Sequence, residues 1–433
     1  MRVLIVSPHF PPVNTPDMHR VRMSLPYFRE FGWEPYVLAV APPAEATLDP
    51  LLLQTIPDAV EIERVPAVPL ALSKRLGIGN IALRALPFLY TRGSALIADR
   101  RIDLVYFSTT NFLSMPLGRV WRRKFGVPYV VDIQDPWHSD YYQQHPDSAP
   151  PPKYSLARRL HAILEPWTMK EVGAVIAVSD DYVSTLRQRY SWLAEEMCTT
   201  LPFAASARDF ELLAENPQRN RGFEREGGIV HGAYIGRGGD DMKKALDILF
   251  AALGKGIATM PALFGSVRLH FVGTDYAADA RAKKTVEPVA REAGVGSSVT
   301  ESTTRVSYFE ALQILKDADF LVLTGSDDPA YTASKVYPYL MSGKPVVAVV
   351  HERSGLVPVL REAGSAVVVT FSEGRETAAA EKLLAEWRAM LEARGEPTSV
   401  DQTLLARYSA REMTRRQSAV FDSVLARERA RAA

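Results

Sequence analysis

The residues best suited to chemistry lie where Gly236-Arg237-Gly238-Gly239 closes an apolar run and a helix-period stretch carrying Lys243 and Lys244 follows. Glycines let backbone amides approach a ligand, and a helix N-terminus favours an anion. Arg237 offers a planar fork of donors and Lys243 a flexible point charge, a pair suited to a diphosphate. Gly273, which closes another apolar run, joins Gly236 and Gly238 as a candidate ligand-binding glycine. A tight strand–helix turn with solvated basic residues accounts for the same pattern. A dinucleotide fingerprint, and with it a nicotinamide-dependent enzyme, fits worse. Asp241 stands at its third glycine position, and Asp275 lies much farther on than the usual ~20 residues.

A second candidate anion site is Thr332-Ala333-Ser334-Lys335-Val336-Tyr337. Ser334 is expected to cap a helix ending before Gly343-Lys344-Pro345, which would place free amides and Lys335 near a phosphate. An ordinary capped helix with a solvated lysine is the plainer alternative. In the first half, Asp132-Ile133-Gln134-Asp135-Pro136-Trp137-His138 loads one strand end with two carboxylates, an indole and an imidazole. Asp135 can accept or orient a hydroxyl proton, and Trp137 can stack on a sugar or lipid head. Alternatively Asp132 and Asp135 cap local amides, and His138 is a lone imidazole. The loop after the first apolar run places Asn14, Thr15, His19 and Arg20 near the same edge, with helix capping as their other reading.

The elements that would position these residues alternate along the chain. Short apolar, β-branched runs at 3–6, 36–40, 104–107, 129–131 and 174–178 are followed by others at 229–235, 267–272, 320–323, 346–350 and 366–369. Such runs suit strands buried on both faces of a parallel sheet. Helical stretches are expected between them, among others at 17–31, 240–253, 308–316 and 356–362. The pattern predicts an α/β chain of two doubly wound, Rossmann-like parallel-sheet domains. Ligands then sit beyond the carboxyl ends of the strands, with a cleft expected between the two sets of ends. The boundaries read as a domain over 1–203, a polar linker over 204–228, a second domain over 229–400 and an Arg-rich helical end over 401–433. The stretch 139–153, with four prolines, is expected to be a mobile loop.

Bulk properties narrow the function. A net charge of +1 over 433 residues carries no broad electrostatic footprint for nucleic acid. The single cysteine, Cys198, excludes an intrachain disulfide and a multi-cysteine metal site. No segment approaches the roughly 20 apolar residues that span a bilayer, so a cytoplasmic location is expected. Basic clusters at Arg119-Val120-Trp121-Arg122-Arg123-Lys124-Phe125 and Arg158-Arg159 read either as solvated helix faces or as peripheral contacts with anionic membrane at its inner face.

Taken together, several segments resemble the retaining glycosyltransferases of family 4, which have the GT-B fold. They are Arg2-Val3-Leu4-Ile5-Val6-Ser7 with Pro11-Pro12, the turn from Asp132 to Trp137, the run from Ala174 to Ser179, and Gly236-Arg237 with Lys243. Ser334-Lys335-Val336-Tyr337-Pro338-Tyr339-Leu340-Met341-Ser342-Gly343-Lys344-Pro345-Val346 resembles the donor-binding segment of the capsule and O-antigen branch. The resemblance implies a metal-independent enzyme without a cofactor beyond its co-substrate, a UDP-sugar or GDP-sugar. The second domain would hold this donor through Arg237 and Lys243 on the diphosphate, with Gly236, Gly238, Gly273, Asp328, Ser334, Lys335 and Tyr337 around it. The first domain would take a sugar, lipid-linked or small-molecule acceptor at Asn14, Thr15, Trp137 and His138, with Asp135 as the catalytic acceptor-side group. The Arg-rich end would cross back onto the first domain. Two departures stand out. Ala330 and Pro338 occupy positions where many members carry glutamates eight apart, and Asn14-Thr15 replaces a glycine pair. Asp327 and Asp328 are the nearby acids able to hold sugar hydroxyls instead. A catalytically weak or inactive partner of another transferase is the alternative these departures raise; a nucleotide-sugar epimerase lacks an evident acid–base pair.

Overall fold

A computed structural model describes residues 1–44, 46–76, 78–138, 154–275, 282–328, 333–394 and 401–432. The chain divides into two compact units, one of residues 1–203 with 410–433, the other of 204–409. The expected loop at 139–153 lies outside the described residues.

In unit 1, β1 (Arg2–Val6), β2 (Glu34–Val40), β3 (Glu61–Val65), β4 (Leu104–Ser108), β5 (Tyr129–Ile133), β6 (Ala174–Ala177) and β7 (Cys198–Thr200) form one parallel sheet of order β3-β2-β1-β4-β5-β6-β7. Every residue of β4 and β5 is buried, because helices cover both faces. The chain builds outward from β1 to β3, then returns to the other side of β1 and builds outward again. Its direction therefore reverses between β1 and β4. Open α/β sheets bind ligands at that reversal, where flanking loops diverge and leave a crevice.

Unit 2 repeats the plan with β8 (Val230–Ile235), β9 (Val267–Val272), β10 (Val299–Ser302), β11 (Phe320–Thr324), β12 (Val346–His351) and β13 (Ala366–Phe371), in the parallel order β10-β9-β8-β11-β12-β13. The reversal here lies between β8 and β11. One face is packed by the helix Lys243–Thr259, whose Leu246, Leu249, Phe250 and Leu253 are buried, and by Leu383 and Trp387 of the helix Glu376–Glu392.

Several expected elements differ in detail. The helix expected over 17–31 is three short pieces, Pro16–Met18, His19–Ser24 and Phe28–Phe31, because Pro26 has no amide hydrogen to continue the ladder. The expected linker, 204–228, belongs to unit 2 and contains the helix Ala207–Glu215. The Arg-rich end is two helices: Gln402–Arg407 in unit 2 and Ala410–Ala432 in unit 1.

The last helix is tied to unit 1 by Phe421. This fully buried ring contacts Phe28, Trp33 and Tyr106 at centroid distances of 6.0, 5.3 and 5.0 Å. Around it Ser24 Oγ donates to Gln417 at 2.6 Å, and Trp33 Nε1 donates to Asp422 at 3.1 Å. Removing the ring leaves a cavity that three large neighbours cannot collapse to fill. Phe421→Ala is expected to destabilise the protein by about 3–5 kcal/mol, read as a lower midpoint in urea denaturation.

Candidate functional site

The β8–β11 reversal of unit 2 holds an unusual cation. Lys335 lies between β11 and the helix Val336–Met341, and its ammonium is buried with no hydrogen-bond partner among the described residues. It sits 3.8 Å from the centroid of the Tyr234 ring, whose π face is its nearest favourable contact. Burial, and then the neighbouring Arg237 charge, push the ammonium down to about 7. Gly236 makes room for it: its φ is +133°, and a Cβ there would meet Lys335 Nζ at 2.6 Å. A side chain at 236 would thus be strained and would collide with the cation.

Two tyrosines fix this corner. Tyr234 donates its hydroxyl to Arg237 O at 2.5 Å, and the Ile235 amide donates to Tyr339 Oη at 2.8 Å. The second bond ties the short helix Val336–Met341 to the end of β8. Arg237 forks onto Asp241, with Nη1–Oδ1 at 2.9 Å and Nη2–Oδ2 at 2.7 Å. About a third of the side chain stays exposed. A bidentate, fixed guanidinium beside an ammonium that has no partner among the described residues offers an incoming anion both geometry and charge.

The other expected donor-side residues fall out as follows. Lys243 is turned outward: its ammonium pairs with Asp247 at 2.9 Å and lies 4.0 Å from Glu292. Residues four apart share a helix face, so Lys244, about 100° round the helix, is the lysine whose charge reaches Asp327 at the end of β11. Burial raises the Asp327 carboxyl, and Lys244 opposes that rise. The amides of Gly236 and Gly238 are not open to a ligand either. They donate to Val272 O at 3.0 Å and Thr274 O at 2.8 Å. Gly273, at φ +74°, likewise donates to Ser302 O at 2.8 Å and turns the chain after β9. Ser334 does not cap: the helix has Lys335 at its cap position and no side-chain cap bond. Tyr337 is buried against Tyr408, with centroids 4.8 Å apart, so its ring packs an element rather than facing the crevice. Asp328 is exposed, its amide bonded to Ser326 Oγ at 3.1 Å. Pro338 lies within the short helix, and Ala330 is outside the described residues.

A recess of about 1190 Å³ at the opposite, amino ends of the unit 2 strands is lined by Lys316, Asp319, Lys344 and Ser365 among others. Helices end there, so carbonyl oxygens face it, and Lys316 donates to one of them, Ser342 O, at 3.4 Å. Its lysines offset helix ends, and the crevice at the carboxyl ends is the better anion site.

Unit 1 has its own polar cluster at the β1–β4 reversal. Asp17 is buried; its Oδ1 lies 3.2 Å from His9 Nδ1, and its Oδ2 accepts from Thr109 Oγ1 at 2.9 Å and Asn111 Nδ2 at 3.1 Å. Burial alone would raise this carboxyl, but the His9 bond and charge and the Thr109 hydroxyl outweigh it and hold it at about 2. Asp135, just beyond β5, reaches solvent. The protein packed around its carboxyl, and then the Asp17 charge, push it up to about 6.

Other acceptor-side expectations change. Asp132 is an internal tie: Oδ2 forms an ion pair with Arg20 Nε at 2.8 Å and accepts hydrogen bonds from Ser108 Oγ at 2.7 Å and Tyr106 Oη at 3.1 Å, all in the interior. Arg20, expected near the edge, is therefore buried, and His19 lies within 3.2 Å of Arg22 Nη2. Trp137 is buried and stacks on Phe112 at 5.5 Å, which leaves no face for a sugar. His138 is half-buried, and its carbonyl accepts from Arg189 at 3.3 Å. Asn14 and Thr15 are half-buried in the loop that delivers Asp17, where the Asn14 amide donates to Thr47 O at 2.9 Å. Cations of the 119–125 cluster are held by protein acids: Arg119 and Arg123 by Glu171 at 2.8 and 2.6 Å, Arg122 by Glu428 at 2.9 Å. Among the described residues no helix is long and apolar enough to cross a membrane.

Missed as site residues in the sequence were His9, Asp17, Asn111, Tyr234 and Tyr339, and Lys243 was preferred to Lys244. The signal for His9 and Asn111 was position alone, just past β1 and β4.

Comparison with known proteins agrees with this plan. Residues 19–202 match the glycosyl transferase 4-like domain. The fold is that of GT-B proteins. A sucrose-phosphate synthase from Thermosynechococcus elongatus aligns at 14% identity and TM-score 0.58, covering 98% of this chain and 99% of that one. A glycosyltransferase from Rickettsia africae aligns at 13% and 0.59, covering 98% of each. The Anabaena protein HepE, in complex with UDP-glucose, aligns at 15% and 0.55, covering 98% and 99%. No curated protein sequence matches the chain.

Proposed function

We propose that this protein is a glycosyltransferase that moves a sugar from a UDP-sugar or GDP-sugar to an acceptor hydroxyl, with unit 2 holding the donor and unit 1 the acceptor. The observation that carries the reading is the buried Lys335 ammonium, without a hydrogen-bond partner among the described residues, beside the fixed Arg237 fork at the β8–β11 reversal. A buried charge without a counter-ion is costly, and a diphosphate is the ligand that supplies one. The match over 19–202 and the UDP-glucose in the Anabaena complex support the same chemistry.

In this reading, negative charge grows on the leaving diphosphate as the bond to the sugar breaks. Lys335, Arg237 and Lys244 stabilise that charge, so a divalent ion is not required. Retention of configuration is the course that the family resemblance implies, and proton NMR of the product anomer checks it. A polysaccharide or lipid-linked precursor is the acceptor class favoured by the capsule and O-antigen likeness of residues 334–346.

UDP-glucose or GDP-mannose at a hundredfold excess over its Kd contributes about 2.7 kcal/mol to the folded state and should raise the melting temperature by several degrees. Arg237→Ala should lose that rise. No rise with either donor, or an undiminished rise in Arg237→Ala, would count against the donor site. A second reading, a catalytically weak partner of another transferase, draws on Pro338, which puts no carboxylate on the short helix. Donor turnover by the purified protein decides against it.

A further inference from the structure

Among the described residues, every large hydrophobic side chain that stands exposed belongs to unit 1. Five of these nine fall on two helices and the segment leading into the first. Val68, Leu72 and Phe88 are 36%, 57% and 38% exposed in and before the helix Ile81–Asp99. Leu160 and Ile163 are 36% and 66% exposed in the helix Tyr154–Met169. Val68 is fixed in place: its amide donates to Arg84 O at 3.0 Å, and its carbonyl accepts from Arg84 Nε at 2.8 Å. Phe88 stands one helical turn beyond Arg84, on the same helix face. The connections β3 to β4, β4 to β5 and β5 to β6 all step the same way across the parallel sheet, so right-handed crossovers set their helices on one face. Ile81–Asp99, Pro116–Phe125 and Tyr154–Met169 are accordingly neighbours in that order. Each follows a strand and so begins at the carboxyl edge, where the β1–β4 crevice opens.

Charge of one sign accompanies this apolar surface. From 65 to 98, and again from 154 to 164, the sequence contains neither Asp nor Glu. Lys74, Arg75 and Arg159 are exposed within those stretches, and no ion pair holds them among the described residues. The cations of the helix between, Arg119, Arg122 and Arg123, are by contrast neutralised by Glu171 and Glu428. Isolated exposed leucines are ordinary, but apolar side chains gathered beside free cations and far from acids complement a surface that is anionic above and apolar beneath. We propose that unit 1 docks on an anionic lipid bilayer through Val68, Leu72, Phe88, Leu160 and Ile163, with Lys74, Arg75 and Arg159 on the headgroup phosphates. The apolar side chains enter below the headgroups, and the long cationic stems lie along the boundary. Docked this way, the carboxyl edge of the unit 1 sheet meets the membrane, and its crevice opens where a lipid-linked molecule is presented.

The docking surface stands apart from the transfer reading, and its test uses no nucleotide sugar. The full chain is co-sedimented with vesicles of equal parts phosphatidylglycerol and phosphatidylcholine, and with vesicles of phosphatidylcholine alone. Binding is expected to the first and to be much weaker to the second, with added salt weakening the first. Lys74→Gln with Arg75→Gln should lower the partition coefficient about 25-fold, roughly fivefold for each cation. Leu72→Ser with Ile163→Ser should lower it on the order of tenfold or more. All four side chains are exposed, so both variants should melt as the parent does. Lys382→Gln with Arg388→Gln removes the same charge from exposed pairs in unit 2 and should leave binding unchanged. No binding by the parent, equal binding to both vesicles, or an equal loss in the unit 2 variant overturns the proposal. So does a parent dimer in sedimentation that Leu72→Ser with Ile163→Ser makes monomeric, since a second copy then covers the face. Vesicle binding by a parent that UDP-glucose does not stabilise would count against the donor site and leave this surface in place.

Discussion

The Lys335→Met variant is expected to melt higher than the parent and to lose the stabilisation that UDP-glucose gives. Methionine nearly matches the lysine stem in volume and can lie on the Tyr234 ring, where sulfur contacts are favourable. It removes an ammonium that is buried without a counter-ion among the described residues. Exchanging such a charge for an apolar group of similar size commonly stabilises by roughly 1–4 kcal/mol. The linkage has a definite sign. The ammonium falls from 10.5 to about 7 in the folded protein. Between those pH values the unfolded chain holds the extra proton, so the parent gains stability as pH rises from 7 to 10.5. Lys335→Met should lack that gain, which thermal melts at pH 7 and pH 9 would show. Ligand binding runs the other way. A bound diphosphate favours the charged ammonium, so the parent should take up close to one proton on binding UDP-glucose at pH 8. Its affinity should weaken as pH rises past about 7, and calorimetry in buffers of different ionisation enthalpy reads both. Equal pH dependence of stability in parent and variant would show that Lys335 is not the buried cation described.

Arg20→Met should cost about 3–5 kcal/mol, because it leaves a buried carboxylate without its partner. Arg20 and Asp132 are both fully buried, 2.8 Å apart. The guanidinium also donates to Leu201 O at 2.8 Å and Pro202 O at 3.2 Å, and it lies 4.7 Å from the centroid of the Phe203 ring. It therefore joins the helix His19–Ser24 to the end of β5 and to the segment after β7. The double variant Arg20→Met with Asp132→Asn should recover part of the loss, since the orphaned charge is then gone and the two sites share one interaction. Urea denaturation of the parent, both single variants and the double variant measures this coupling. Additive losses would mean that the pair is not an energetic unit.

The sequence read correctly wherever burial imposed a pattern on it. All ten expected apolar runs are strands, since a strand covered on both faces has to be apolar throughout. The three strands it did not announce, β3, β7 and β10, are each at a sheet edge. Glu61-Ile62-Glu63-Arg64-Val65 is half-exposed along most of its length, and Val299-Thr300-Glu301-Ser302 alternates buried and exposed. An edge strand has one neighbour and less cover, so it needs no apolar run, and only pairing reveals it.

The candidate sites divide along the same physical line. Arg237 was legible because a cation after a buried strand at a glycine turn is a local pattern, and Lys335 because it stands at an expected helix start. Two contacts between residues distant in sequence decided what those cations do, Tyr234 beneath the ammonium and Tyr339 tying the helix to the strand, together with Asp241, which holds the fork from four residues on. Trp137 and Asp132 looked like ligand groups because composition does not state which way a side chain faces, and the fold turned both inward. His9 and Asp17 were invisible as a pair for the opposite reason: nothing in their spacing announces a dyad until the β1–β4 reversal brings Thr109 and Asn111 to the same carboxylate. The sequence alone determined the α/β class, the two-sheet plan and the cationic turn, because those follow from local burial periodicity and charge. Tertiary structure decided which lysine is buried, which acid is structural and which imidazole is oriented, because each depends on atoms far apart in the chain sharing one desolvated volume.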